Sequence, residues 1–369
     1  MLIGVPKEIK EDEYRVGLTP RSVASLSSQG HKVFIEYDLG AKIGFSNQQY
    51  IDSGATISDT PEDLYQSSEL IVKVKEPQIS ELPYLNDKHI LFTFLHLAGN
   101  PDLACMLRDT GVTGLAYETL VASDGSLPLL APMSEIAGKI SIVVGNYHLL
   151  KPYNGKGVLL SRINDLDLRT ITVIGAGVAG RNAIDASINL GAKVNVIDLD
   201  EEKLKTLKQK YPMNLEGYLS NDSNITKCIS ESDLIIGSVY LTGKKAPTII
   251  TRSMLEQIKP GTVLVDISID QGGCFETSKP TTHQDPTFLI DDILHYCVSN
   301  MPGAVPLTAS ESLNSASLSY VQKLANNDLN LLLNEQDFKS GLNISFFHFQ
   351  ILLISITLIL GNIFFIFQD

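Results

Sequence analysis

The sequence predicts an α/β protein with two doubly wound domains, one of them inserted into the other. Short runs rich in Val, Ile and Leu alternate with helical patterns along the chain. With 369 residues, 44% of them hydrophobic, the chain is too long for one ordinary core and too apolar to be disordered. Two long helical patterns, beginning near Pro132 and Pro306, stand where the chain would leave the first domain and return to it.

The first third of the chain carries a regular series of predicted strands. They are Leu2–Val5, Lys32–Glu36, Leu70–Val74, Ile90–Leu95 and Val112–Ala116. Pro20 opens a helix that Gly30 ends. The longer helix from Pro132 has an amphipathic pattern, and we interpret it as the crossing into the second domain.

The second domain continues the alternation of strands and helices. Its predicted strands are Thr170–Ile174, Lys193–Ile197, Leu234–Ile236 and Thr262–Ile269. Thr308 and Glu311 have the spacing of a capping box, so we expect Pro306 to open a helix that returns to the first domain. We therefore predict a discontinuous domain of residues 1–130 and 306–343, an inserted domain of residues 131–305, and an anomalous apolar tail at residues 344–369.

The glycine-rich stretch after the first strand of the second domain is its most informative feature. Thr170–Ile174 leads into Gly175-Ala-Gly177-Val-Ala-Gly180, a helical pattern follows, and a second strand closes on Asp198. In such a unit Gly175 makes the tight turn, Gly177 lets the backbone approach a pyrophosphate, and Gly180 lets helix and strand pack closely. The motif alone is weak evidence, but this context predicts a Rossmann dinucleotide-binding domain rather than a merely structural turn.

Asp198 refines the predicted ligand. A carboxylate at the end of the second strand accepts hydrogen bonds from the adenosine ribose hydroxyls and repels a 2′-phosphate, which favours NAD over NADP. Asp200 is a rival two residues further on. We prefer Asp198 because it follows the apolar run directly, whereas Asp200 belongs to an acidic helix start.

Composition excludes several classes of function. The net charge is −13 and no cluster of Lys and Arg stands out, which argues against nucleic-acid binding. The four cysteines have no zinc-site or C-x-x-C spacing and fit buried thiols in a reducing compartment. The N-terminus lacks the basic and apolar regions of a signal peptide, so we expect a cytoplasmic protein.

Four polar residues follow predicted strands, at the edge where open α/β sheets bind ligands. Arg15 lies in a charged loop after the first strand, Lys75 and His96 end the third and fourth, and Asp270 ends Thr262–Ile269. Each has an ordinary structural explanation, and Arg15 could simply pair with its acidic neighbours. Together they suit a nucleotide-dependent enzyme acting on a small anion, with Arg15 as a fork for a carboxylate and His96 as a proton carrier.

Several phrases resemble the family of alanine dehydrogenases and transhydrogenase NAD-binding subunits. They are Gly4-Val-Pro-Lys-Glu8 with Arg15-Val16 and Thr19-Pro20, then Val72–Pro77, Thr93–Ala98, Ala131–Glu135, Ile269–Cys274 and His295–Gly303. The later phrases are similar to the alanine dehydrogenase branch. The resemblance runs without a large gap from Met1 to about Asn343.

The resemblance implies reversible oxidative deamination of L-alanine to pyruvate, ammonia and NADH. By this resemblance, Arg15 and Lys75 bind the carboxylate and the carbonyl of the substrate. His96 is the general acid and base, and Asp270 assists the addition of water to the imine. The resemblance makes residues 131–305 the NAD-binding domain and the other domain the substrate domain, and it implies a homohexamer. Further residues match positions that line the NAD site: Ser134, Lys203, Ser220, Val239 and Met301.

The sequence departs from the family pattern in three places. Ser161–Asp165 stands where a glycine-rich loop precedes the Rossmann strand, and Leu307 replaces a usual arginine. Neither bears on the expected chemistry. The third departure is the apolar tail, which replaces the usual closing segment.

Two other interpretations stay open. A transhydrogenase NAD-binding subunit would belong to a membrane complex, but it would not need the complete set of substrate residues or a strand-end histidine at His96. A catalytically inactive NAD-binding protein with a damaged C-terminus is the third interpretation. NADH formation from L-alanine and NAD separates the three.

The tail Ile344–Phe367 carries no charge and is long enough to cross a hydrocarbon core, which takes about 20 apolar residues as a helix. No flanking cluster of Lys or Arg supports a membrane anchor, and the chain is no longer than the family pattern. Our hypothesis is a frameshifted or otherwise aberrant end that favours aggregation, with a real anchor and a buried helix as alternatives.

Fractionating cells that express the full chain, beside cells expressing a chain stopped after Asn343, tests this hypothesis of an aberrant tail. We expect the full chain to aggregate more than the shortened chain. Active, detergent-extractable protein found in the membrane fraction for the full chain alone would instead establish an anchor.

Overall fold

The computed structural model describes residues 1–241 and 245–345, and these residues form two compact α/β units. Among the described residues, one unit comprises Met1–Met133 and residues 305–345, and the other comprises Ser134–Leu241 and Lys245–Ala304. The predicted fold class is confirmed, since each unit has its own sheet and the second unit interrupts the first along the chain.

The first unit contains a seven-stranded sheet whose strands are separated along the chain by helices and turns. The strands are β1 (Leu2–Val5), β2 (Lys32–Glu36), β3 (Ala55–Ser58), β4 (Leu70–Val72), β5 (Ile90–Thr93), β6 (Thr113–Ala116) and β14 (Leu342–Ile344). The helices are α1 (Pro20–Ser28), α2 (Asn47–Asp52), α3 (Pro61–Gln66), α4 (Pro101–Thr110), α9 (Pro306–Asn326), α10 (Leu329–Leu332) and α11 (Gln336–Gly341).

The second unit repeats this organisation. Its strands are β7 (Thr170–Ile174), β8 (Lys193–Asp198), β9 (Leu215–Leu219), β10 (Leu234–Gly237), β11 (Val263–Asp266), β12 (Thr287–Ile290) and β13 (Ile293–Tyr296). Its helices are α5 (Ala131–His148, whose first residues belong to the first unit), α6 (Val178–Asn189), α7 (Glu201–Lys210) and α8 (Asp222–Glu231).

The two sheets share the order of five strands and differ in the last two positions at one edge. The first runs β14-β6-β5-β4-β1-β2-β3 and the second runs β12-β13-β11-β10-β7-β8-β9. Both are parallel except for one antiparallel pair at one edge, β14 with β6 and β12 with β13. Counted along each unit from the opposite edge, the first order is 3-2-1-4-5-6-7 and the second is 3-2-1-4-5-7-6, so both contain the doubly wound arrangement 3-2-1-4-5. The order reverses beside β1 and beside β7, and each reversal creates a place for a ligand at the carboxyl ends of the strands.

Central strands of both units are buried on both faces, which explains their continuous apolar sequences. In β10, Leu234, Ile235 and Ile236 are fully buried, and Ile235 packs in a cluster with Ile229 and Leu264. Burial of branched side chains of this kind is the main favourable contribution to folding.

Three sequence predictions about element ends were wrong. The strands predicted to end at Val74 and Leu95 end at Val72 and Thr93, and the strand predicted to run to Ile269 ends at Asp266 and continues as a 3₁₀ turn. The predicted capping box is also absent. Pro306 occupies the first turn of α9 and Val305 is the N-cap residue, with no side-chain capping hydrogen bond. Proline suits this position because the first amides of a helix lack intrahelical partners.

Ile344, the first residue of the predicted apolar tail, belongs to β14. It is 2% exposed and packs with Leu91, Leu103 and Leu107 in the core of the first unit. The rest of the predicted tail, beyond Ser345, lies outside the described residues. Within residues 1–241 and 245–345, the helices are all too short or too polar to cross a membrane.

We predict that Ile344→Ala lowers the free energy of unfolding by about 2–4 kcal/mol, because it removes buried methyl groups and leaves a cavity. The denaturant midpoint of the variant measures this loss. Leu331→Ala is the matched control, since Leu331 is 68% exposed on α10 of the same unit. Equal midpoints for the two variants would contradict the packing of Ile344.

Candidate active site

In the first unit, three predicted site residues follow the carboxyl ends of three neighbouring strands. Arg15 lies in the loop after β1, Lys75 follows β4, and His96 follows β5. Strands β5, β4 and β1 are adjacent in the sheet, so the parallel topology brings these segments to one edge. A substrate of this unit would meet two positive charges and one imidazole there.

Arg15 is 3% exposed and is held by Glu13. The Arg15 Nε and Nη2 groups donate to Glu13 Oε1 at 2.7 Å and Oε2 at 2.5 Å, and Nη1 lies 3.1 Å from Met133 Sδ. The expectation that Arg15 pairs with an acidic neighbour is therefore correct. Because Glu13 occupies one edge of the guanidinium fork, contact with a substrate carboxylate would have to use its other N–H groups.

The ion pair controls the charge of Glu13. Burial alone raises the pKa of this carboxyl group, but the hydrogen bonds and charge of Arg15, together with the charge of Lys75, lower the pKa to about 2. Lys75 therefore lies close enough to act on the same carboxylate. Glu13 remains ionised at neutral pH and fixes the orientation of Arg15.

Lys75 is 8% exposed, and hydrogen bonds hold its backbone on both sides. Glu8 Oε1 accepts from the amides of Val74 at 2.6 Å and Lys75 at 3.3 Å, while Thr93 Oγ1 donates to the Lys75 carbonyl at 2.9 Å. These contacts fix the segment beyond β4 that carries the lysine.

Beneath this segment lies a buried ionic cluster of Lys73, Glu8 and Glu81. The ammonium of Lys73, which has no solvent exposure, lies 3.2 Å from Glu8 Oε2 and 2.7 Å from Glu81 Oε1, and Tyr65 donates to Glu81 at 3.0 Å. Burial lowers the pKa of Lys73, but the two carboxylates raise it overall to about 12. Burial and the charge of Glu81 raise the pKa of Glu8 despite the charge of Lys73. Two carboxylates thus share one ammonium.

His96 is exposed and has a left-handed backbone, with φ 49° and ψ 34°. Its amide donates to Glu118 Oε1 at 2.6 Å, and its ring stacks on Phe94 with centroids 5.6 Å apart and an interplanar angle of 2°. The imidazole is accessible to a substrate, while its backbone and one ring face are held.

In the second unit, the glycine-rich turn lies after β7, where the strand order reverses. Gly175 has φ +95°, which favours glycine, and a Cβ there would lie 2.7 Å from the Ser238 carbonyl oxygen. A Cβ at Gly180 would lie 1.8 Å from the Gly175 oxygen, so α6 lies too close to the turn after β7 for any other residue. A Cβ at Gly177 would meet no atom within 4 Å. This open space and the N-terminus of α6 fit a dinucleotide pyrophosphate.

Asp198 ends β8 beside this turn. Its Oδ2 accepts from the Ala176 amide at 2.6 Å, and its Oδ1 accepts from the Asp200 amide at 2.9 Å. The rival, Asp200, is the N-cap of α7 and accepts from the amides of Glu202 and Lys203. The geometry gives Asp200 a structural role and leaves Asp198 as the carboxylate beside the glycine-rich turn.

Asp270 lies in the 3₁₀ turn Ile267–Gln271 after β11 and is exposed. Its Oδ2 accepts from the Asn300 amide at 3.3 Å. The turn itself is organised by buried Asp266, which accepts from the amides of Ser268 and Cys274 at 2.9 Å and from the Ser278 hydroxyl. Burial raises the pKa of Asp266, and these hydrogen bonds oppose the rise.

The other predicted NAD-site residues are spread over the second unit. Ser220 follows β9 and donates its amide to the Asp198 carbonyl at 2.9 Å, and Val239 follows β10. Met301 is 3% exposed in a 3₁₀ turn after β13. Ser134 lies on α5 and Lys203 on α7, so these two are not at strand ends.

Sequence reasoning expected an acidic partner for Arg15 but did not identify the individual carboxylates that hold the predicted site residues. They are Glu8, Glu13, Glu118 and Asp266. Glu8 appeared in the sequence only as part of a phrase resembling the family, and Glu13 only as one acidic residue of a charged loop, which usually indicates solvated side chains. The available signal was position: Glu8 and Glu118 follow the predicted strand ends at Val5 and Ala116 by three and two residues.

The fold and these sites define a class of protein: a two-unit α/β enzyme with a dinucleotide-binding turn at one sheet and a cationic, imidazole-bearing edge at the other. Models of the two domains described as "Alanine dehydrogenase/PNT" match most of the chain, the N-terminal domain at residues 4–137 and the C-terminal domain at residues 141–348. The chain belongs to the alanine dehydrogenase/PNT family.

Relatives named alanine dehydrogenase are similar over nearly the whole length. The protein of Halomonas elongata is 45% identical over 93% of both chains, and that of Bacillus subtilis is 43% identical over 93% of this chain and 91% of its own. A solved L-alanine dehydrogenase structure matches with a TM-score of 0.90 and 42% identity, covering 94% of this chain and 96% of that one. A transhydrogenase from Sinorhizobium meliloti has a TM-score of 0.81 but 22% identity, with 94% and 99% coverage, and so shares the fold alone.

The Glu13–Arg15 pair makes a prediction about pH. The carboxyl group has an ordinary pKa of 4.5 and a folded-state pKa of about 2. Its contribution to stability is therefore present above pH 4.5 and is lost as the pH falls towards 2. Glu13→Gln should melt at a lower temperature than the unmutated chain at neutral pH, and this difference should shrink in acid.

Melting curves of both chains across this pH range measure the difference. Glu231→Gln is the control, at an exposed position at the end of α8. Its melting temperature should equal that of the unmutated chain at every pH. A Glu13→Gln deficit that is the same at every pH would contradict the charge-based explanation.

Proposed function

We propose that the chain catalyses the reversible, NAD-dependent oxidative deamination of L-alanine to pyruvate and ammonia. Overall, L-alanine, NAD⁺ and water give pyruvate, ammonium, NADH and a proton. Membership of the family supports the reaction. The observation that carries the residue assignment is the convergence of Arg15, Lys75 and His96 on one edge of the first sheet.

Arg15 and Lys75 bind and polarise the substrate in this proposal. Arg15 supplies N–H donors to the carboxylate shared by alanine and pyruvate, and Glu13 holds it in a fixed orientation. Lys75 places a positive charge beside the carbonyl or imine group. A small anionic substrate matches two cations whose backbones are both held by carboxylates.

His96 and Asp270 move protons in this proposal. Oxidation of alanine gives an imine, which must add water and then expel ammonia, so protons must be taken from water and delivered to nitrogen. An exposed imidazole can both accept and donate a proton and suits this exchange. Asp270, exposed on its 3₁₀ turn, is proposed to orient the water that adds to the imine.

NAD is the proposed cofactor. The chemistry supplied by bound NAD is acceptance of the hydride that leaves Cα of the substrate. Gly175, Gly177 and Gly180 would take the pyrophosphate, and Asp198 would accept from the ribose hydroxyls and exclude a 2′-phosphate. The further proposed contacts are Ser134, Lys203, Ser220, Val239 and Met301.

The same proposal assigns the substrate role to the first unit and the NAD role to the second, in a cytoplasmic homohexamer. Light scattering of purified protein tests the hexamer, and a mass of one or two chains would refute it. The main test is NADH absorbance on mixing the chain with L-alanine and NAD. No NADH formation together with tight NADH binding would instead favour an inactive NAD-binding protein.

His96→Ala should lower the rate of alanine oxidation by about 100-fold or more while NADH still binds, because general acid–base catalysis is worth that much. Lys75→Ala should have a comparable defect, most visible with pyruvate as substrate. Steady-state rates and NADH fluorescence titration measure the two properties. Alanine oxidation at a near-normal rate by His96→Ala would make the histidine structural.

Asp198→Ala should weaken the binding of NAD and lower the preference for NAD over NADP, because the carboxylate that repels a 2′-phosphate is lost. The NAD/NADP ratio of kcat/KM measures the change. Asp198→Asn is the matched variant, since its amide oxygen can still accept from the Ala176 amide. An unchanged ratio in both variants would mean that the ribose is recognised elsewhere, and Asp200→Ala would be the next test.

A further inference from the structure

Glu118 connects the ends of two neighbouring strands. It lies in the 3₁₀ turn Tyr117–Thr119 directly after β6, and its carboxylate reaches the segment that follows β5. Oε1 accepts from the His96 amide at 2.6 Å, and the Leu95 amide lies 3.3 Å from Oε1 and 3.2 Å from Oε2. Two successive amides beyond the strand thus converge on one carboxylate.

The backbone at His96 depends on such a partner. The last sheet-like bond of this segment is from the Phe94 amide to the Val74 carbonyl at 3.2 Å. Beyond it the chain turns into the left-handed region at His96, with φ 49° and ψ 34°. That conformation is unfavourable for residues other than glycine, so surrounding contacts must stabilise it. A charge-assisted hydrogen bond to the amide of the same residue does so directly.

The turn aims the imidazole. Leu95 is fully buried and anchors one side of the turn in the core, while His96 is exposed and stacks on Phe94 at 5.6 Å. Glu118 holds the His96 amide and Phe94 covers one face of the ring. Glu118 thus restricts the imidazole through the backbone of His96. We infer that Glu118 is a positioning residue that holds the backbone of His96 in its left-handed turn and so directs the imidazole to the substrate. The inference rests on the proposed function.

The first test measures the hydrogen bonds from the Leu95 and His96 amides to Glu118 and does not depend on catalytic activity. In hydrogen–deuterium exchange, a peptide covering residues 94–100 should show faster exchange at the Leu95 and His96 amides in Glu118→Ala. Glu276→Ala is the matched control. Its carboxylate accepts from the Arg252 amide at 2.7 Å on an exposed surface of the second unit, so exchange should rise there and not at residues 94–100.

The second test measures the catalytic consequence. Glu118→Ala should lower kcat by about 10- to 100-fold, because a displacement of about 1 Å in a catalytic group has effects up to this size. The dissociation constant of NADH should not change. Glu118→Gln keeps an oxygen acceptor but loses the charge, so its defect should be smaller, and Glu276→Ala should keep the full rate.

A double-mutant cycle separates positioning from general damage. In a His96→Ala background, Glu118→Ala should cause no further loss of kcat, because the group that it positions is already gone. A full additional loss in that background would overturn the inference, as would unchanged exchange at residues 94–100 in both Glu118 variants. Since exchange does not depend on turnover, a chain that fails to oxidise alanine but shows the faster exchange would refute the proposed function alone.

Discussion

A parallel strand that ends must find new partners for its next backbone amides, and the structure solves this problem repeatedly with carboxylates. Glu8 accepts from the amides that follow β4, and Glu118 accepts from those that follow β5. Asp266 does the same for the turn after β11, and Glu13 binds both the amide and the guanidinium of Arg15. Buried amides without partners are costly, so each carboxylate stabilises the fold and at the same time fixes a segment that carries a proposed functional residue.

The sequence was sufficient for the features set by local pattern. Continuous apolar runs indicated buried parallel strands, and the spacing of Gly175, Gly177 and Gly180 predicted a turn whose geometry the structure reproduces. The strand-end positions of Lys75 and His96 followed from the same patterns, although both strands end earlier than their apolar runs do. The apolar run continues past the last ladder bond because those side chains still pack in the core, so hydrophobicity alone overestimates strand length.

The rest depended on tertiary contacts that no local pattern encodes. Thr308 and Glu311 had the spacing of a capping box, yet the N-cap residue of α9 is Val305 and Pro306 is its first residue, so Thr308 already lies inside the helix. The sequence indicated Arg15 as a ligand for a carboxylate, but which acidic neighbour binds its guanidinium depends on the conformation of the loop. Lys73 sits two residues from Lys75 on the same strand-to-loop segment, and only the folded neighbourhood distinguishes a lysine with no exposure from an ordinary solvated one.

The cluster of Lys73, Glu8 and Glu81 has a consequence for how such a sequence can diverge. Its three charges are mutually dependent, because loss of the ammonium would leave two buried carboxylates facing each other. Loss of Glu81 alone would instead remove the excess negative charge and leave one pair, with the Tyr65 hydroxyl deprived of its acceptor. Divergence at these positions is therefore ordered. Glu81 can change while Lys73 and Glu8 remain as a pair, whereas replacing Lys73 first leaves two buried carboxylates without a counter-charge. Glu8 is further constrained because it also accepts from the amides of Val74 and Lys75.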